Sequence, residues 1–233
     1  AFETPYTPTS VNFDWLPEGD PTEVRGGLDI LAARTGKNPS DDIAYVSNSG
    51  SDTVGEYQLG NPLKPFLTFG VAINAVPVGG TVKALAGTFD LTNETVFTAT
   101  VVITKQGVTL DISGCQITGR LFYQASNITI IAYGAIITNP GSNPLFGSSS
   151  GTHTNFELFG GTFQGGAGFA MDLTNSCKDG IITDTTFTSN VQVANLSADS
   201  AEFINCNFTT VSVSQFNIVI LTASILEAIK PFC

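Results

Sequence analysis

Charge is the scarcest property of this sequence. Only 12% of its 233 residues are Asp, Glu, Lys or Arg, about half the share of an average soluble protein. A mainly helical protein needs many charged residues on its exposed faces, so this scarcity argues against a helical fold. Thr, Ser, Asn and Gly fill the polar positions instead, and these residues suit strands and tight turns. The composition therefore predicts an all-β protein.

Basic residues are especially few, with 9 Lys and Arg against 20 Asp and Glu, and the formal net charge is −11. Such a surface repels a phosphate backbone and an anionic membrane, so we expect no nucleic-acid partner and no attraction to membrane lipids. The longest apolar run, from Phe216 to Leu226, is too short to span a bilayer. No basic segment followed by an apolar stretch opens the chain, so we expect no secretory signal.

Metal-binding patterns are also lacking. The four cysteines are Cys115, Cys177, Cys206 and Cys233, without a CxxC pair, and His153 is the single histidine. This spacing matches no zinc site, and the sequence contains no glycine-rich phosphate loop. We therefore predict neither a metal nor a cofactor.

Residues 1–44 differ in composition from the rest of the chain. Five of the eleven prolines fall there, interleaved with the aromatic residues Phe2, Tyr6, Phe13 and Trp15. A segment of this kind cannot build a core of its own, so it is either disordered or lies on a partner. The aromatic residues favour the partner, and we interpret residues 1–44 as an extended arm that docks onto other proteins.

The stretch from 45 to 90 carries a recognisable pattern of a short strand, a short amphipathic piece and two Gly-containing turns. These elements are Tyr45-Val46, Phe69 to Ile73, Gly79-Gly80-Thr81-Val82 and Ala86-Gly87-Thr88-Phe89. The pattern resembles the segment that precedes the first coil of pectin-lyase-like right-handed parallel β-helix proteins. The resemblance implies an all-β fold, a right-handed parallel β-helix (a solenoid), with residues 45–80 as its N-terminal cap. It implies no activity, because lyases, hydrolases, adhesins and virus tailspikes share this architecture.

The rest of the chain repeats a short alternating strand, a turn of Gly, Asn, Asp or Thr, and a further inward apolar residue. The apolar residues that close successive repeats are Ile117, Ile136, Phe163, Phe187 and Phe208. They are 19, 27, 24 and 21 residues apart, and periods of this size indicate a solenoid. We predict about six coils over residues 81–216, with an inserted loop, from Asn139 to Thr154, that projects from the stack.

Both ends of such a stack are open sheet edges that need a cover. Residues 217–233 are assigned to a C-terminal cap or an oligomer contact, because their apolar residues fall on every side of any regular element. Burial against other copies removes that surface from water, so we predict a homo-oligomer, with a trimer preferred. The alternative is a monomer whose last segment folds back over the final coil.

Cys115 and Cys206 occupy the same place in the aligned repeats, two residues before the closing apolar residue. Four coils at about 4.8 Å each separate them, whereas a disulfide needs Cα atoms within about 7 Å. The alignment therefore excludes that pairing, and small buried thiols are the default interpretation.

Catalytic constellations are not recognisable in the body. Its carboxylates are Asp90, Glu94, Asp111, Glu157, Asp172, Asp179, Asp184, Asp199, Glu202 and Glu227. Asp172 and Asp184 are the pair that could approach each other across coils as the acid and base of a glycosidase, but Asp residues in solenoid turns usually have a structural role. The basic residues are too spread out to hold a uronate, and His153 falls on the predicted loop. We assign no catalytic, binding or metal-ligating residue and predict that the chain is not an enzyme.

These features favour a structural or adhesive component of a virus particle, such as a phage tail spike, tail fibre or capsid-attached fibre. The arm, residues 1–44, would dock it to other virion proteins, and its polar faces would contact host-surface polysaccharide. The alternative is a polysaccharide lyase or glycoside hydrolase of the same superfamily. A bacterial surface adhesin is a third interpretation, which would place the chain outside the cell or on its surface rather than on a virion.

Overall fold

The computed structural model divides the chain into two units, residues 1–39 and 40–233, of which only the second is described. The described residues are 42–53, 59–91, 94, 100–139, 141, 145–148, 153–165, 170–172, 177–194, 200–214, 218–222, 225–226 and 229–231. Residues 1–41, and with them nearly all of the predicted arm, lie outside this part.

The described strands form a parallel β-solenoid, as the sequence predicts, and every pairing between them is parallel. Face 1 is one sheet of eight strands: β1 (Ile43–Val46), β2 (Thr81–Ala84), β5 (Thr109–Asp111), β8 (Ile128–Ile131), β12 (Phe156–Phe159), β16 (Gly180–Thr183), β18 (Ser200–Ile204) and β20 (Ile218–Thr222). Six of these strands lie between residues 81 and 216, which matches the predicted number of coils.

Two further faces complete each coil. Face 2 contains β3 (Thr88–Asp90), β6 (Gln116–Thr118), β9 (Ile136–Asn139), β13 (Thr162–Gly165) and β21 (Ile225–Leu226). Face 3 contains β4 (Thr100–Ile103), β7 (Arg120–Tyr123), β10 (Phe146–Ser148), β14 (Met171–Asp172) and β22 (Ile229–Pro231). The longer strands β17 (Thr186–Ala194) and β19 (Asn207–Ser214) pair with both faces and join them. A small separate pair consists of β11 (His153–Thr154) and β15 (Cys177–Lys178).

The core is a set of columns in which one apolar residue per coil rests on its equivalents. On face 1 the column, at most 5% exposed, is Ala44, Val82, Leu110, Ile130, Leu158, Ile182 and Phe203. Neighbouring positions along each strand point to the opposite side, because strand side chains alternate. Removing these side chains from water supplies about 25 cal/mol per Å² of apolar area, and each coil shares that burial with the coils above and below.

The face 2 column corrects the predicted alignment by one residue. Its members are Phe89, Ile117, Ile137, Phe163, Phe187 and Phe208. Ile137 is fully buried in this column, whereas Ile136, which the repeat alignment placed there, points outward and is 39% exposed. The error arose because the two residues are identical and adjacent, so hydrophobicity does not distinguish the two registers.

Turns at two corners of the coil stack in the same way. The first corner, between faces 1 and 2, places Gly114, Gly134, Gly160, Asp184 and Asn205 in the left-handed region, with φ between 53° and 74°. The second corner, before face 1, does the same with Gly79, Gly107, Asn127, Asn155 and Asp179. Gly, Asn and Asp are the residues that adopt this conformation at least cost, which explains the turn composition seen in the repeats.

The N-terminal end of the solenoid is covered by residues that the sequence assigned to a cap. β1 begins at Ile43, two residues before the predicted start of that cap at 45. Its free edge is paired, since the Tyr45 amide donates to the Gly60 carbonyl (2.8 Å) and the Phe66 amide donates to the Tyr45 carbonyl (2.8 Å). The helix α1 (Phe69–Ala75) follows and buries Phe69, Ala72 and Ile73, the residues on which the amphipathic piece was recognised.

The predicted projecting loop from Asn139 to Thr154 is wrong in part. Within it, β10 pairs with β7 and β14 on face 3, and Leu145 and Phe146 are fully buried. Phe146 stands opposite Leu121 and Met171 on the neighbouring coils of face 3, so the longer repeat contains a core strand and not only an excursion. His153, assigned to the same loop, lies in β11.

The predicted cap at 217–233 contains further strands of the same solenoid. β20 pairs with β18 on face 1, and β21 and β22 pair with β19. In this register Leu221 pairs with Phe203, Leu226 pairs with Phe208, and Ile220 pairs with Glu202.

The corrected register predicts opposite results for the same substitution at adjacent residues. Ile137→Asp should destabilise the protein by about 3–5 kcal/mol or prevent folding, because it buries an unpaired carboxylate in the core. Ile136→Asp should change the free energy of unfolding by less than about 1 kcal/mol, because this side chain faces solvent. Urea unfolding followed by circular dichroism measures both. Greater damage from Ile136→Asp would restore the original alignment.

Candidate functional site

Asp172 and Asp184, the two carboxylates considered as a catalytic pair, lie in different parts of the coil. Asp172 is on face 3, opposite Gly147 and Gln192. Asp184 is at the corner between faces 1 and 2, where its backbone has a φ of 55° and its Oδ1 accepts a hydrogen bond from Asn205 Nδ2 (2.5 Å). The structure therefore does not bring the pair together, and Asp184 has the structural turn role that the sequence favoured.

Other carboxylates bind neighbouring coils of the scaffold. Asp111 pairs with Lys83 of the preceding coil (3.2 Å), and its Oδ1 accepts a hydrogen bond from the Ser113 amide (3.1 Å). Partial burial opposes ionisation of Asp111, but the hydrogen bonds from Ser113 and the nearby Lys83 lower its pKa below the usual value. Glu157 accepts a hydrogen bond from the Thr129 hydroxyl of the preceding coil (3.1 Å).

A buried carboxylate site holds the start of helix α1, and it was missed in the sequence. Glu94 accepts hydrogen bonds from the amides of Phe69 (2.8 Å) and Gly70 (3.0 Å). Asp52 accepts from the Leu67 amide (2.8 Å) and from the hydroxyl of Thr68 (2.6 Å), the helix N-cap. Glu94 thereby satisfies amides that a helix leaves without intrahelical partners, and Asp52 holds the N-cap residue and the amide just before it.

The opposite end of α1 is held by a cation. Lys105 donates from Nζ to the carbonyls of Asn74 (2.9 Å) and Val76. Negative charge at the start of a helix and positive charge at its end both suit the helix dipole. We interpret the group as an anchor for the capping helix. Its sequence signal is weak, because Asp52 and Glu94 are 16 and 24 or 25 residues from the groups they bind.

Burial raises the pKa of Glu94 above its usual value. Hydrogen bonds from the Gly70 and Phe69 amides oppose this shift, and the nearby charge of Asp52 adds to it. A cavity of about 50 Å³ beside the carboxyl is lined by Gly70, Ile73, Asn74, Glu94, Thr100, Val102 and Thr104.

His153 packs on the core and is half-buried. β11, which contains it, pairs with β15. Its ring lies edge-on to that of Tyr123, with centroids 5.6 Å apart, and Tyr123 in turn stacks on Phe156 at 4.9 Å. This position connects His153 to the aromatic part of the core.

Cys115 and Cys206 are buried free thiols, as the repeat alignment predicted. Both lie at the first corner, and three intervening coils place Ala135, Gly161 and Thr185 at the same position. Burial raises the pKa of both thiols, that of Cys206 to about 11, so they remain protonated at neutral pH and are poor nucleophiles.

In the part of the chain that the structure describes, no three His, Cys, Asp or Glu side chains are grouped to hold a metal. The described helix is not long enough to cross a membrane.

The first corner changes size halfway along the solenoid. Between the paired rows of faces 1 and 2, the early coils use four residues, for example residues 112–115 and 132–135. The later coils use two, namely 160–161, 184–185 and 205–206. The last four-residue corner, which contains Tyr133, therefore lies next to the first two-residue corner, which contains Gly160. This creates a step on the surface.

Tyr133 lies across this step and is 50% exposed. A Cβ atom on Gly160, in the next coil, would come within 2.6 Å of Tyr133 Cδ1 and 3.1 Å of its Cα. The ring is thus seated against a glycine backbone, which leaves the rest of its surface open. We call Tyr133, Gly160 and the adjoining outward residues Gln116, Ile136 and Thr162 the corner step.

Outward residues that are mostly uncharged and polar continue from the step along face 2. The first outward row is Thr88, Gln116, Ile136, Thr162, Thr186 and Asn207, and the second is Asp90, Thr118, Thr138 and Gln164. Hydroxyls and amides in these rows meet between coils, for example Asn207 Nδ2 and Thr186 Oγ1 at 3.5 Å. Rows of this kind offer both donors and acceptors to a ligand. Sequence reasoning expected polar faces but not the step, whose only signal is the shorter Gly160-Gly161 corner.

The fold and these surfaces define a parallel β-solenoid protein. The chain matches no protein-family model, and no curated protein or solved structure is significantly similar to it.

The packing of Tyr133 on Gly160 predicts that the stability effects of substitutions at these two positions are coupled. Gly160→Asn should destabilise the protein by about 1–3 kcal/mol, because the new Cβ meets the tyrosine ring. The same substitution in a Tyr133→Ala background should cost less, with a coupling of at least about 0.5 kcal/mol in a double-mutant cycle from urea unfolding.

The matched control is Gly134→Asn, at the same left-handed position one coil earlier. A Cβ there has no atom within 4 Å, and Asn tolerates this conformation, as Asn205 demonstrates. Gly134→Asn should change stability by less than about 0.5 kcal/mol. Equal costs at the two glycines would indicate backbone strain rather than contact with Tyr133.

The raised pKa of Glu94 predicts that this residue makes a pH-dependent contribution to the free energy of unfolding. Because its folded-state pKa is raised, the folded protein holds the proton more tightly than the unfolded chain does. This contribution should therefore decrease as pH rises from about 4.5, the ordinary value, through the raised pKa. Glu94→Gln should remove this slope, and should cost about 1–3 kcal/mol because an amide oxygen and its NH₂ group cannot accept from two amides as a carboxylate does. Urea unfolding over a pH series tests this, with Glu202→Gln on face 1 as the control. An unchanged slope in Glu94→Gln would assign the titration to another group.

Proposed function

We propose that this chain is a non-enzymatic structural and adhesive component of a virus particle, such as a tail spike, tail fibre or capsid-attached fibre. It docks to other virion proteins through residues 1–44 and binds carbohydrate on the host surface. The observation that carries the proposal is the exterior of face 2, where uncharged polar rows repeat from coil to coil beside the exposed ring of Tyr133.

The use of the carboxylates supports an adhesive rather than a catalytic role. Glu94 binds helix amides, Asp52 binds an amide and a hydroxyl just before the helix, Asp111 binds Lys83, and Asp184 binds a turn asparagine. A glycosidase needs two carboxyl groups facing one bond across several ångströms, with room for the sugar between them. Carboxylates already engaged by the scaffold are poorly placed for that work.

The construction of the solenoid suits repeated contact with a long ligand. Its core columns are continuous, and parallel strands hold outward residues of successive coils at a fixed spacing of about 4.8 Å. A surface of this kind is rigid before binding, so little conformational entropy is lost when a ligand docks. Weak contacts along several coils then add up to useful affinity.

Assembly into a particle requires contacts beyond the solenoid. The Pro- and aromatic-rich residues 1–44 have the composition of a docking segment, and we assign them that role. Residues 217–233 are rich in apolar residues, and burial against another copy removes such surface from water. A homotrimer with this segment near its axis fits both features.

Incubation of the full chain with a panel of neutral and acidic polysaccharides tests the proposal. We expect binding without cleavage: retention on at least one immobilised polymer, and no increase in reducing ends or unsaturated sugars. An antibody against the chain should label purified particles. Enzymatic turnover that is lost in Asp172→Ala or Asp184→Ala would instead support a polysaccharide lyase or hydrolase. Failure of the antibody to label any particle would argue for a surface adhesin of another origin.

A further inference from the structure

We infer that the corner step is the carbohydrate site, and that its ligand is an uncharged sugar chain running parallel to the solenoid axis. This inference rests on the proposed adhesive function and specifies its ligand.

The aromatic part of the step suits a sugar ring. One face of a pyranose presents mainly C–H groups, which pack on an aromatic ring and remove apolar surface of both partners from water. Tyr133 is half exposed, and its contact with Gly160 keeps the ring in place before a ligand arrives. Ile136, 39% exposed, begins the adjoining strand and extends the apolar surface.

The outward row of the step repeats at a length that fits a sugar chain. Gln116, Ile136 and Thr162 stand opposite one another on three successive coils, about 4.8 Å apart. A pyranose unit in an extended polymer has nearly the same length, so each successive unit meets an equivalent position. The amide of Gln116 and the hydroxyl of Thr162 both donate and accept hydrogen bonds, as sugar hydroxyls require.

The charge around the step selects against anionic sugars. The row from Thr88 to Asn207 contains no ionisable side chain, and the second row has only Asp90 at its start. On the adjoining face 1 row, the ammonium of Lys83 is paired with Asp111. The step therefore offers no cation to a uronate or sulfate, and the net charge of −11 repels both.

The test measures binding of the full chain to a linear neutral hexose polymer and to a hexuronate polymer, at low and high salt. We expect binding to the neutral polymer only, with little dependence on salt. Tyr133→Ala should weaken it at least tenfold, and Gln116→Ala severalfold. Tyr133→Phe, which keeps the ring, is the matched control and should retain most of the affinity. Circular dichroism and urea unfolding of each variant establish that the fold is intact.

The possible failures are distinguishable from failure of the adhesive function. Binding of the hexuronate that disappears at high salt would overturn the neutral ligand while leaving an adhesive protein. Neutral binding that survives Tyr133→Ala in a folded variant would move the site away from the step. Binding to neither polymer would overturn the inference and leave a structural role on the particle intact. Cleavage of either polymer would overturn the proposed function itself.

Discussion

The structure depends on the in-register stacking of parallel strands. Once one coil places Leu110 inward, the next must place Ile130 on it and the one after must place Leu158, because backbone hydrogen bonds fix the register from coil to coil. The same constraint applies at the corners, where chain direction must change at equivalent positions. Left-handed residues therefore recur in columns, and small residues such as Ala135 and Gly161 occupy the inner side of the bend.

Stacking leaves an exposed sheet edge at the end of the solenoid, and three of the few charged residues of the chain act there. The first strand would expose an edge if residues 60–66 did not pair with it. Helix α1 covers the core beneath that edge, and it is held by Asp52 and Glu94 at its start and by Lys105 at its end. On the exterior of face 2, by contrast, most outward residues are neutral Thr, Asn and Gln.

A constant core leaves the exterior free to vary, and the corner step is the clearest case. The number of residues at the first corner changes from four to two without disturbing the columns on faces 1 and 2. On the surface this change produces the corner step, where Tyr133 packs on Gly160. We therefore expect functional sites on this fold to arise from changes in corner length and in the outward residues of the strands. Such changes leave the core packing intact, and they require no cleft between domains.

The sequence by itself determined the class of fold, the approximate coil number and the turn residues. Scarce charge, alternating apolar residues and repeats of 19 to 27 residues all suit parallel stacking, so the fold can be recognised from the sequence alone. It also determined that Cys115 and Cys206 are too far apart to pair, because the number of repeats between them sets their distance along the axis.

Hydrophobicity did not determine the register at Ile136 and Ile137, where two identical neighbours fit either alignment. Only the tertiary structure decided that register, the core strand inside the longest repeat, the carboxylates that hold α1 and the step at Tyr133. Each of these depends on contacts between residues some 16 to 28 positions apart, a separation at which a one-residue slip or a shorter corner changes which side chains meet.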